Sequence, residues 1–274
     1  QDFRRVLPSE IGDIDFPPRA LEHYAVALEA CIDVKAVRAA GFKAVIDYGY
    51  GTTAFVMPNL LSQIGTEVLA VNPYVSTAGI LAFDRAEHAE QVAGLVRTSG
   101  ARLGAVLDPG GEQLTLIDDT GRVLDDTSTL LVLLSLLGDD LTDREVALPV
   151  ATTVHAEALV ERHGGRVRPT KLAASAVMEA AAEPEVVFAA GLEGGYVVPE
   201  FLAAYDAAAT LVKILELLAR RDVRLSELVA ELPDRNLVRE SVVTPWEQKG
   251  TVMRTLMERS GDRQVVLVDG VKVR

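Results

Sequence analysis

The chain has 274 residues, of which 49% are hydrophobic, and its formal net charge at pH 7 is −13. This length and apolar content are sufficient for two domains with buried cores, whereas the negative charge and the lack of a basic cluster exclude a nucleic-acid partner. The single cysteine, Cys31, excludes an internal disulfide and a cysteine-based zinc site. Its apolar neighbours predict a small core residue, and this cysteine usage is typical of a reducing cytoplasm.

Short β-rich runs alternate along the chain with helical patterns of ten or more residues, an order that is typical of α/β architecture. The predicted strands are Lys43–Asp47, Glu67–Val71, Leu103–Leu107, Leu114–Asp118, Val146–Val150, Arg166–Arg168, Val186–Ala190 and Gln264–Val268. The predicted helices are Pro18–Cys31, Phe55–Ile64, Asp84–Ser99, Ser128–Leu137, Val154–His163, Leu172–Ala182, Glu200–Arg220 and Trp246–Ser260.

The apolar runs are too short or too interrupted to predict a membrane span. Leu130–Leu137 falls far short of the roughly 20 apolar residues that a bilayer requires. The run Phe201–Leu218 contains Asp206, Lys213 and Glu216, so it predicts a buried helix. We therefore expect neither a membrane segment nor a signal peptide.

Two stretches of the chain follow the same order of elements. Lys43–Val71 contains a strand, the pair Thr52-Thr53, a helix and a second strand, and Val146–Val167 repeats this order with Thr152-Thr153. A duplicated domain and the chance likeness of two βαβ units both explain this repeat. The polar run Gly138–Glu145 between two apolar segments predicts the boundary between the domains.

An acidic, glycine-rich loop follows one of the buried strands. Its sequence is Asp108-Pro109-Gly110-Gly111-Glu112-Gln113. Asp108 and Glu112 offer carboxylate oxygens, which are the ligands that hard cations such as Mg²⁺ prefer. Glycines at these positions are equally typical of a tight connection between two strands, and both interpretations stay open at this point.

This loop resembles the magnesium loop of the α-D-phosphohexomutases (phosphomannomutase and phosphoglucomutase), which reads Asp-Pro-Asp-Gly/Ala-Asp-Arg. Asp108, Pro109 and Gly111 match that pattern, whereas the second aspartate, the third aspartate and the arginine are replaced by glycine, glutamate and glutamine. The resemblance implies a magnesium ion held by Asp108 and Glu112. It also implies that metal binding is weakened, because one ligand is lost and another is one methylene longer.

A second loop resembles the sugar-binding loop of the same family, Gly-Glu-x-Ser-Gly-His. Aligned on Gly195, the chain places Gly194 at the serine and Tyr196 at the histidine, and Glu193 lies one position away from the family's glutamate. The resemblance implies that Glu193, Gly194, Gly195 and Tyr196 bind the sugar. A glycine-rich turn without a ligand is the alternative.

The resemblance extends from about Pro17 to Gly261 and covers the second and third domains of a four-domain phosphohexomutase. It implies an α/β fold of two consecutive domains, each a mixed four-stranded sheet flanked by helices. The expected divisions are a linker from a missing first domain (1–16), a domain II-like part (17–142), a domain III-like part (143–262) and the start of a truncated fourth domain (263–274). The family's phosphoserine loop and phosphate-binding loop do not occur in these residues, so we expect an excised segment without mutase activity of its own.

The resemblance implies a phosphomannomutase- or phosphoglucomutase-like protein of carbohydrate metabolism that binds a hexose phosphate or a sugar nucleotide. In the first interpretation, intramolecular phosphotransfer is weakened or lost and a binding or regulatory role is retained. In the second, the longer protein is an active magnesium-dependent phosphohexomutase that interconverts hexose 1-phosphate and 6-phosphate. A structural spacer is the third. The replaced loop residues resemble the mutase-like half of bacterial sugar nucleotidyltransferase fusions, which makes a covalently attached nucleotidyltransferase domain the expected partner.

Two other motifs lack the residues that must accompany them. The segment Gly49–Ala54 satisfies the dinucleotide fingerprint GxGxxA, but Asn72-Pro73 stands where the acidic ribose ligand is expected. His155 and Glu157 form an H-x-E pair that lacks the Pro-Cys-x-x-Cys of zinc deaminases. Neither motif predicts a cofactor.

Overall fold

A computed structural model describes residues 6–7, 10–14, 16–233 and 240–273 of the chain. Part of the predicted linker 1–16 therefore lies outside the described residues, as does the last residue of the predicted fourth domain. The strands are β1 (Lys43–Asp47), β2 (Glu67–Val71), β3 (Leu103–Leu107), β4 (Leu114–Ile117), β5 (Glu145–Pro149), β6 (Arg166–Thr170), β7 (Val186–Ala190), β8 (Tyr196–Val197), β9 (Val265–Val266) and β10 (Lys272–Val273).

The helices alternate with these strands. They are α1 (Ala20–Ala30), α2 (Val34–Ala40), α3 (Met57–Gln63), α4 (Thr77–Leu81), α5 (Arg85–Ser99), α6 (Asp126–Leu137), α7 (Val154–Arg162), α8 (Ala174–Ala181), α9 (Ala207–Arg221), α10 (Leu225–Ala230) and α11 (Trp246–Ser260). Short 3₁₀ segments at Thr52–Phe55 and Gly138–Leu141 complete the described regular structure.

Two four-stranded mixed sheets have the same topology, which confirms the predicted fold class. The first sheet has the order β2-β1-β3-β4 and the second the order β6-β5-β7-β8. In each sheet the first three strands are parallel, and the last pairs antiparallel with its neighbour. The repeat seen in the sequence is therefore a repeat of architecture.

One continuous apolar core joins the two sheets. Leu107 in the first sheet and Leu148 in the second belong to the same buried cluster, together with Leu134 of α6 and Leu215 of α9. The two helices pack against each other and are buried along most of their length, which explains why their sequences are apolar on nearly every face. None of the described helices is long and apolar enough to cross a membrane.

Several elements differ from their predicted extents. The helix predicted at Glu200–Arg220 begins only at Ala207, because Asp206 is its N-cap and its Oδ1 accepts a hydrogen bond of 2.8 Å from the Ala209 N–H. Cys31 was predicted to lie in the core but is only partly buried. Its thiol lies 3.3 Å from the carbonyl oxygen of Ala27, and burial raises its pKa.

Asp206 also connects the start of α9 to α1, and replacing it should destabilise the protein. Its Oδ2 accepts a 2.7 Å hydrogen bond from the Tyr24 hydroxyl. Asp206→Ala is expected to lower the free energy of unfolding by about 2–3 kcal/mol, because an N-cap is lost and a half-buried hydroxyl loses its acceptor. Asp206→Asn keeps an acceptor oxygen and should cost less than about 1 kcal/mol. Urea denaturation of both variants checks this, and equal losses would show that the cap does not contribute.

Candidate functional site

The Asp108 loop is a tight connection between β3 and β4. Leu107 and Leu114 are paired across the two strands, the Asp108 N–H donates to the carbonyl oxygen of Gln113 at 3.1 Å, and the Gly111 N–H donates to the carbonyl oxygen of Asp108 at 2.9 Å. Gly111 has a φ of +75°, which glycine adopts without steric cost. The loop therefore has the geometry of a closed strand connection.

The Asp108 carboxylate accepts hydrogen bonds from the backbone of its own loop. Its Oδ1 lies 2.7 Å from the Glu112 nitrogen and 2.6 Å from the Gln113 nitrogen, and its Oδ2 lies 3.1 Å from the Gly110 nitrogen. A carboxylate offers about four lone-pair sites. Three of them are used within the loop, so Asp108 has little capacity left for another partner.

The side chains of this loop do not fit a magnesium site. Mg²⁺ demands near-octahedral oxygen coordination at about 2.0–2.1 Å, whereas Gly110 and Gly111 bring no side-chain oxygen and Glu112 lies exposed on the surface. Within the described ranges, no group of three or more His, Cys, Asp or Glu side chains is arranged to hold a metal ion. The donor set is thus too small, and its best member, Asp108, is already hydrogen-bonded.

The loop after β7 is hydrogen-bonded directly to the Asp108 loop. The Leu114 N–H donates to the carbonyl oxygen of Gly194 at 2.9 Å, and Gln113 forms an antiparallel bridge with Gly195. The Gly191 N–H donates to the carbonyl oxygen of Gly195 at 2.8 Å, which closes the second loop on itself. The two motifs that the sequence singles out therefore form one continuous backbone unit.

The four residues predicted to bind the sugar lie in two different environments. Glu193 is exposed, whereas Gly194 and Gly195 are buried. Tyr196 is only 1% exposed, its ring stacks on Phe188 at a centroid distance of 6.2 Å, and burial raises the pKa of its phenol. Tyr196 is thus a core residue in this structure, and a sugar contact by its phenol would require the ring to leave the core.

Tyr205 packs against Gly191 in the loop after β7. It also lies near the exposed side chains of Glu112 and Glu193. A Cβ on Gly191 would lie 2.5 Å from the Tyr205 hydroxyl oxygen, so the missing side chain allows this close contact. Burial is the main cause of the raised pKa of Tyr205, and the charges of Glu112 and Glu193 raise it further. The sequence contains no local signal for this residue.

Arg85, at the start of α5, is the second residue that the sequence analysis missed. Its guanidinium forms an ion pair with Asp126. It also donates to the backbone oxygens of Leu114 and Glu193, both at 3.3 Å, and to the hydroxyl of Thr115. One arginine therefore contacts the loop after β7 and the start of β4, which directly follows the Asp108 loop.

The GxGxxA segment packs against the Asp108 loop. A Cβ on Gly49 would lie 2.4 Å from the carbonyl oxygen of Leu107, and one on Gly51 would lie 2.5 Å from that of Pro109. The side-chain amide of Asn72, at the position where a ribose ligand would stand, donates to both carboxylate oxygens of Asp47 at 3.1 Å. Close backbone packing accounts for these glycines without a dinucleotide.

Comparisons with known proteins agree with this architecture. Residues 22–121 match the family description "Phosphoglucomutase/phosphomannomutase, alpha/beta/alpha domain II", and residues 126–236 match the corresponding description of domain III. The chain belongs to the phosphoglucomutase/phosphomannomutase family. The family assignment implied by the two loops is thereby confirmed.

Individual relatives support the same assignment. The chain is 25% identical over 278 residues to a phosphoglucomutase/phosphomannomutase of Thermococcus kodakarensis, covering 100% of this chain and 60% of the relative. It is 28% identical over 268 residues to a probable phosphoglucosamine mutase of Methanopyrus kandleri, covering 96% and 59%. The chain thus spans about 60% of the length of these curated relatives.

A solved structure shares the fold. A phosphoglucomutase/phosphomannomutase family protein of Burkholderia thailandensis superimposes with a TM-score of 0.75 at 20% identity, covering 93% of this chain and 55% of the other. The two sheets and their flanking helices are thus an arrangement known from this family.

Proposed function

We propose that this chain is the sugar-binding part of a phosphomannomutase/phosphoglucomutase-like protein of sugar-phosphate metabolism. In this protein, phosphoryl transfer is weakened or lost. The ligand, a hexose phosphate or a sugar nucleotide, binds where the Asp108 loop meets the loop after β7, which contains Glu193 and is called the Glu193 loop below. The observation that carries the proposal is the Asp108 carboxylate, which accepts three backbone hydrogen bonds from its own loop and so is poorly placed to serve a transferring phosphoryl group.

The charges at the junction favour the sugar over the phosphate. Glu112 and Glu193 are exposed, and carboxylates accept hydrogen bonds from hydroxyl groups but repel a phosphate dianion. Gln113 is neutral, and the charge of Arg85 is paired with Asp126. The sugar ring therefore lies against the two glutamates, and its phosphate points away from them.

Weaker metal binding at the Asp108 loop is expected to lower the rate of phosphoryl transfer strongly. Charge on a transferring phosphoryl group is stabilised mainly by metal ions and cationic side chains. If the contribution of this loop falls by about 4 kcal/mol, the rate falls roughly a thousandfold. A protein with this loop would then serve carbohydrate metabolism by binding or by regulating an attached enzyme, for which a nucleotidyltransferase domain is our candidate.

The proposed domain boundaries are 17–142 and 143–262, with a further domain beginning at 263. The match to domain II (22–121) lies within the first of these ranges, whereas the match to domain III (126–236) begins inside the first range and extends into the second. The described hairpin of β9 and β10 lies in the third. A reducing cytoplasm remains our expectation for the location of the protein.

An active magnesium-dependent phosphohexomutase is the competing proposal. It is favoured by the names of two relatives, a phosphoglucomutase/phosphomannomutase and a probable phosphoglucosamine mutase. It requires Asp108 to exchange its backbone hydrogen bonds for a metal ion during the reaction. The two proposals therefore differ in what Asp108 does.

Ligand binding and turnover separate the two proposals. For wild type, titration calorimetry with glucose 1-phosphate and mannose 1-phosphate should give saturable sub-millimolar binding without magnesium. Glu193→Gln should weaken it by about tenfold, or 1.4 kcal/mol. Glu185→Gln is the matched control, because Glu185 is exposed at the opposite end of β7, and it should leave the affinity unchanged.

A coupled mutase assay on the intact gene product provides the second readout. We expect no magnesium-dependent turnover above background. Turnover that is lost in Asp108→Asn would establish the competing proposal. The absence of turnover, together with the absence of saturable binding of hexose phosphates and sugar nucleotides to wild type, would leave only a structural spacer.

A further inference from the structure

Arg85 contacts three elements around the candidate site, namely α6, β4 and the loop after β7. Its Nη2 pairs with Asp126 Oδ1 at the start of α6, and its Nη1 lies 3.4 Å from Asp126 Oδ2. The same guanidinium donates to the Leu114 carbonyl at the start of β4 and to the Glu193 carbonyl. The rigid planar fork of arginine suits such a set of acceptors, which a lysine could not reproduce.

Gly194 lies directly against this ion pair. A Cβ at this position would lie 2.6 Å from Arg85 Nη2, 2.9 Å from Asp126 Oδ1 and 3.0 Å from the carbonyl oxygen of Leu114. The first two distances are shorter than van der Waals contact allows, so a side chain at 194 would require the ends of the Arg85 and Asp126 side chains to shift and would disturb their ion pair. The φ of Gly194 is +81°, which adds a second reason for glycine.

The contact fixes the peptide between Glu193 and Gly194. Arg85 donates a hydrogen bond to the carbonyl oxygen of Glu193, and the Leu114 N–H donates one of 2.9 Å to the carbonyl oxygen of Gly194. With two successive carbonyl groups fixed, the Glu193 side chain is left on the solvent side, where it is exposed. Its direction therefore depends on Arg85, a residue more than a hundred positions earlier in the chain.

We propose that Arg85 is a positioning residue that fastens the Glu193–Gly194 peptide to β4 and thereby presents the Glu193 carboxylate to the ligand. The Arg85–Asp126 pair occupies the space of a side chain at 194. The loop thus recognises a ligand through Glu193 and its backbone, without a hydroxyl from position 194. The presentation of Glu193 to a sugar rests on the proposed function, whereas the fastening itself does not.

A pair of glycine substitutions tests the fastening without a ligand. Gly194→Ala introduces both a positive-φ alanine and the clash with Arg85. Gly164→Ala is the matched control, because its φ is +75° and a Cβ there meets its nearest atom at an ordinary 3.6 Å. We expect the unfolding constant to rise at least about tenfold more in Gly194→Ala than in Gly164→Ala.

Removal of Arg85 should reduce this difference. In the Arg85→Ala background the added Cβ no longer meets a guanidinium, so Gly194→Ala should cost less than it does in wild type, although the contacts with Asp126 Oδ1 and the Leu114 carbonyl oxygen remain. Amide hydrogen exchange should also show that Arg85→Ala deprotects the Leu114 N–H at least about tenfold while amides in β5 stay protected. Arg85→Lys should restore this protection only in part.

These experiments distinguish a failure of the role proposed for Arg85 from a failure of the proposed sugar binding. Equal effects of Gly194→Ala and Gly164→Ala, or an undiminished difference without Arg85, would overturn the fastening. If wild type binds glucose 1-phosphate, Arg85→Ala should weaken binding about as much as Glu193→Gln, and unchanged affinity would overturn the positioning role. If wild type binds no sugar phosphate, the proposed function fails, while exchange and unfolding still decide whether Arg85 fastens the loop.

Discussion

Replacing Asp47 by alanine is expected to lower the free energy of unfolding by about 3–5 kcal/mol, because buried polar partners lose their acceptor. The Asp47 carboxylate is fully buried. It accepts from the Gly49 N–H at 2.9 Å and from the Asn72 amide at 3.1 Å, and His88 Nδ1 lies 2.8 Å away. Alanine would leave all three groups without this acceptor in a site from which water is largely excluded.

Asp47→Asn is the control for this prediction. Asparagine keeps one acceptor oxygen in the same volume, and the His88 ring can present its unprotonated nitrogen to the new amide. The expected loss is under about 2 kcal/mol. Urea denaturation of both variants measures the two losses, and a small effect of Asp47→Ala would show that these contacts are replaced by water.

Gly51→Ala is the second substitution with a large expected effect. Its Cβ would lie 2.5 Å from the carbonyl oxygen and 2.7 Å from the Cα of Pro109. Both atoms belong to the backbone, so neither can rotate away, and the GxGxxA segment must separate from the Asp108 loop. We expect a loss of about 3 kcal/mol, at the upper end of overpacking substitutions.

Gly250→Ala is the matched glycine control. It lies within α11, and a Cβ there would meet no heavy atom within 4 Å. Alanine at a helical glycine should stabilise the protein by roughly 0.5–1 kcal/mol. If Gly51→Ala unfolds at the same temperature as wild type, the GxGxxA segment and the Asp108 loop are not packed as closely as described.

Four of the parallel strands could be predicted from the sequence as short apolar runs, and three of them are buried along most of their length. Lys43–Asp47, Glu67–Val71, Leu103–Leu107 and Val186–Ala190 are found with the predicted bounds. Each is a short apolar or β-branched run between turn residues, which periodicity identifies well. The family resemblance then supplied the arrangement of the strands into two sheets.

Three short helices, α2, α4 and α10, were not predicted, because their stability comes from tertiary contacts. The helices α2, α4 and α10 have only 5–7 residues, and isolated helices of this length are unstable in water. β8 was missed for a similar reason, since its two residues are a strand only through pairing with β7. The early start predicted for the helix at Glu200 overlooked the cap at Asp206.

The candidate site was located by sequence, but its internal contacts were not. The motifs identified Asp108 and Glu193, and the structure brings their loops together. The direction of backbone N–H groups decides what Asp108 binds, and that direction has no signature in the residue types. Arg85 lies in an earlier helix than either loop, and the burial of Tyr196 and its stacking on Phe188 arise from the tertiary structure, so neither could be inferred locally.

The most direct test is a calorimetric titration of the wild-type chain and Asp108→Asn with magnesium chloride. Asparagine keeps one acceptor oxygen, which can serve the Glu112 and Gln113 amides and leaves only the exposed Gly110 amide without its partner, so the variant should retain the fold. Because the Asp108 carboxylate is hydrogen-bonded within its own loop, we predict no saturable magnesium binding to either protein through the millimolar range. Saturable binding to wild type that disappears in Asp108→Asn would contradict the account and identify the loop as a working metal site.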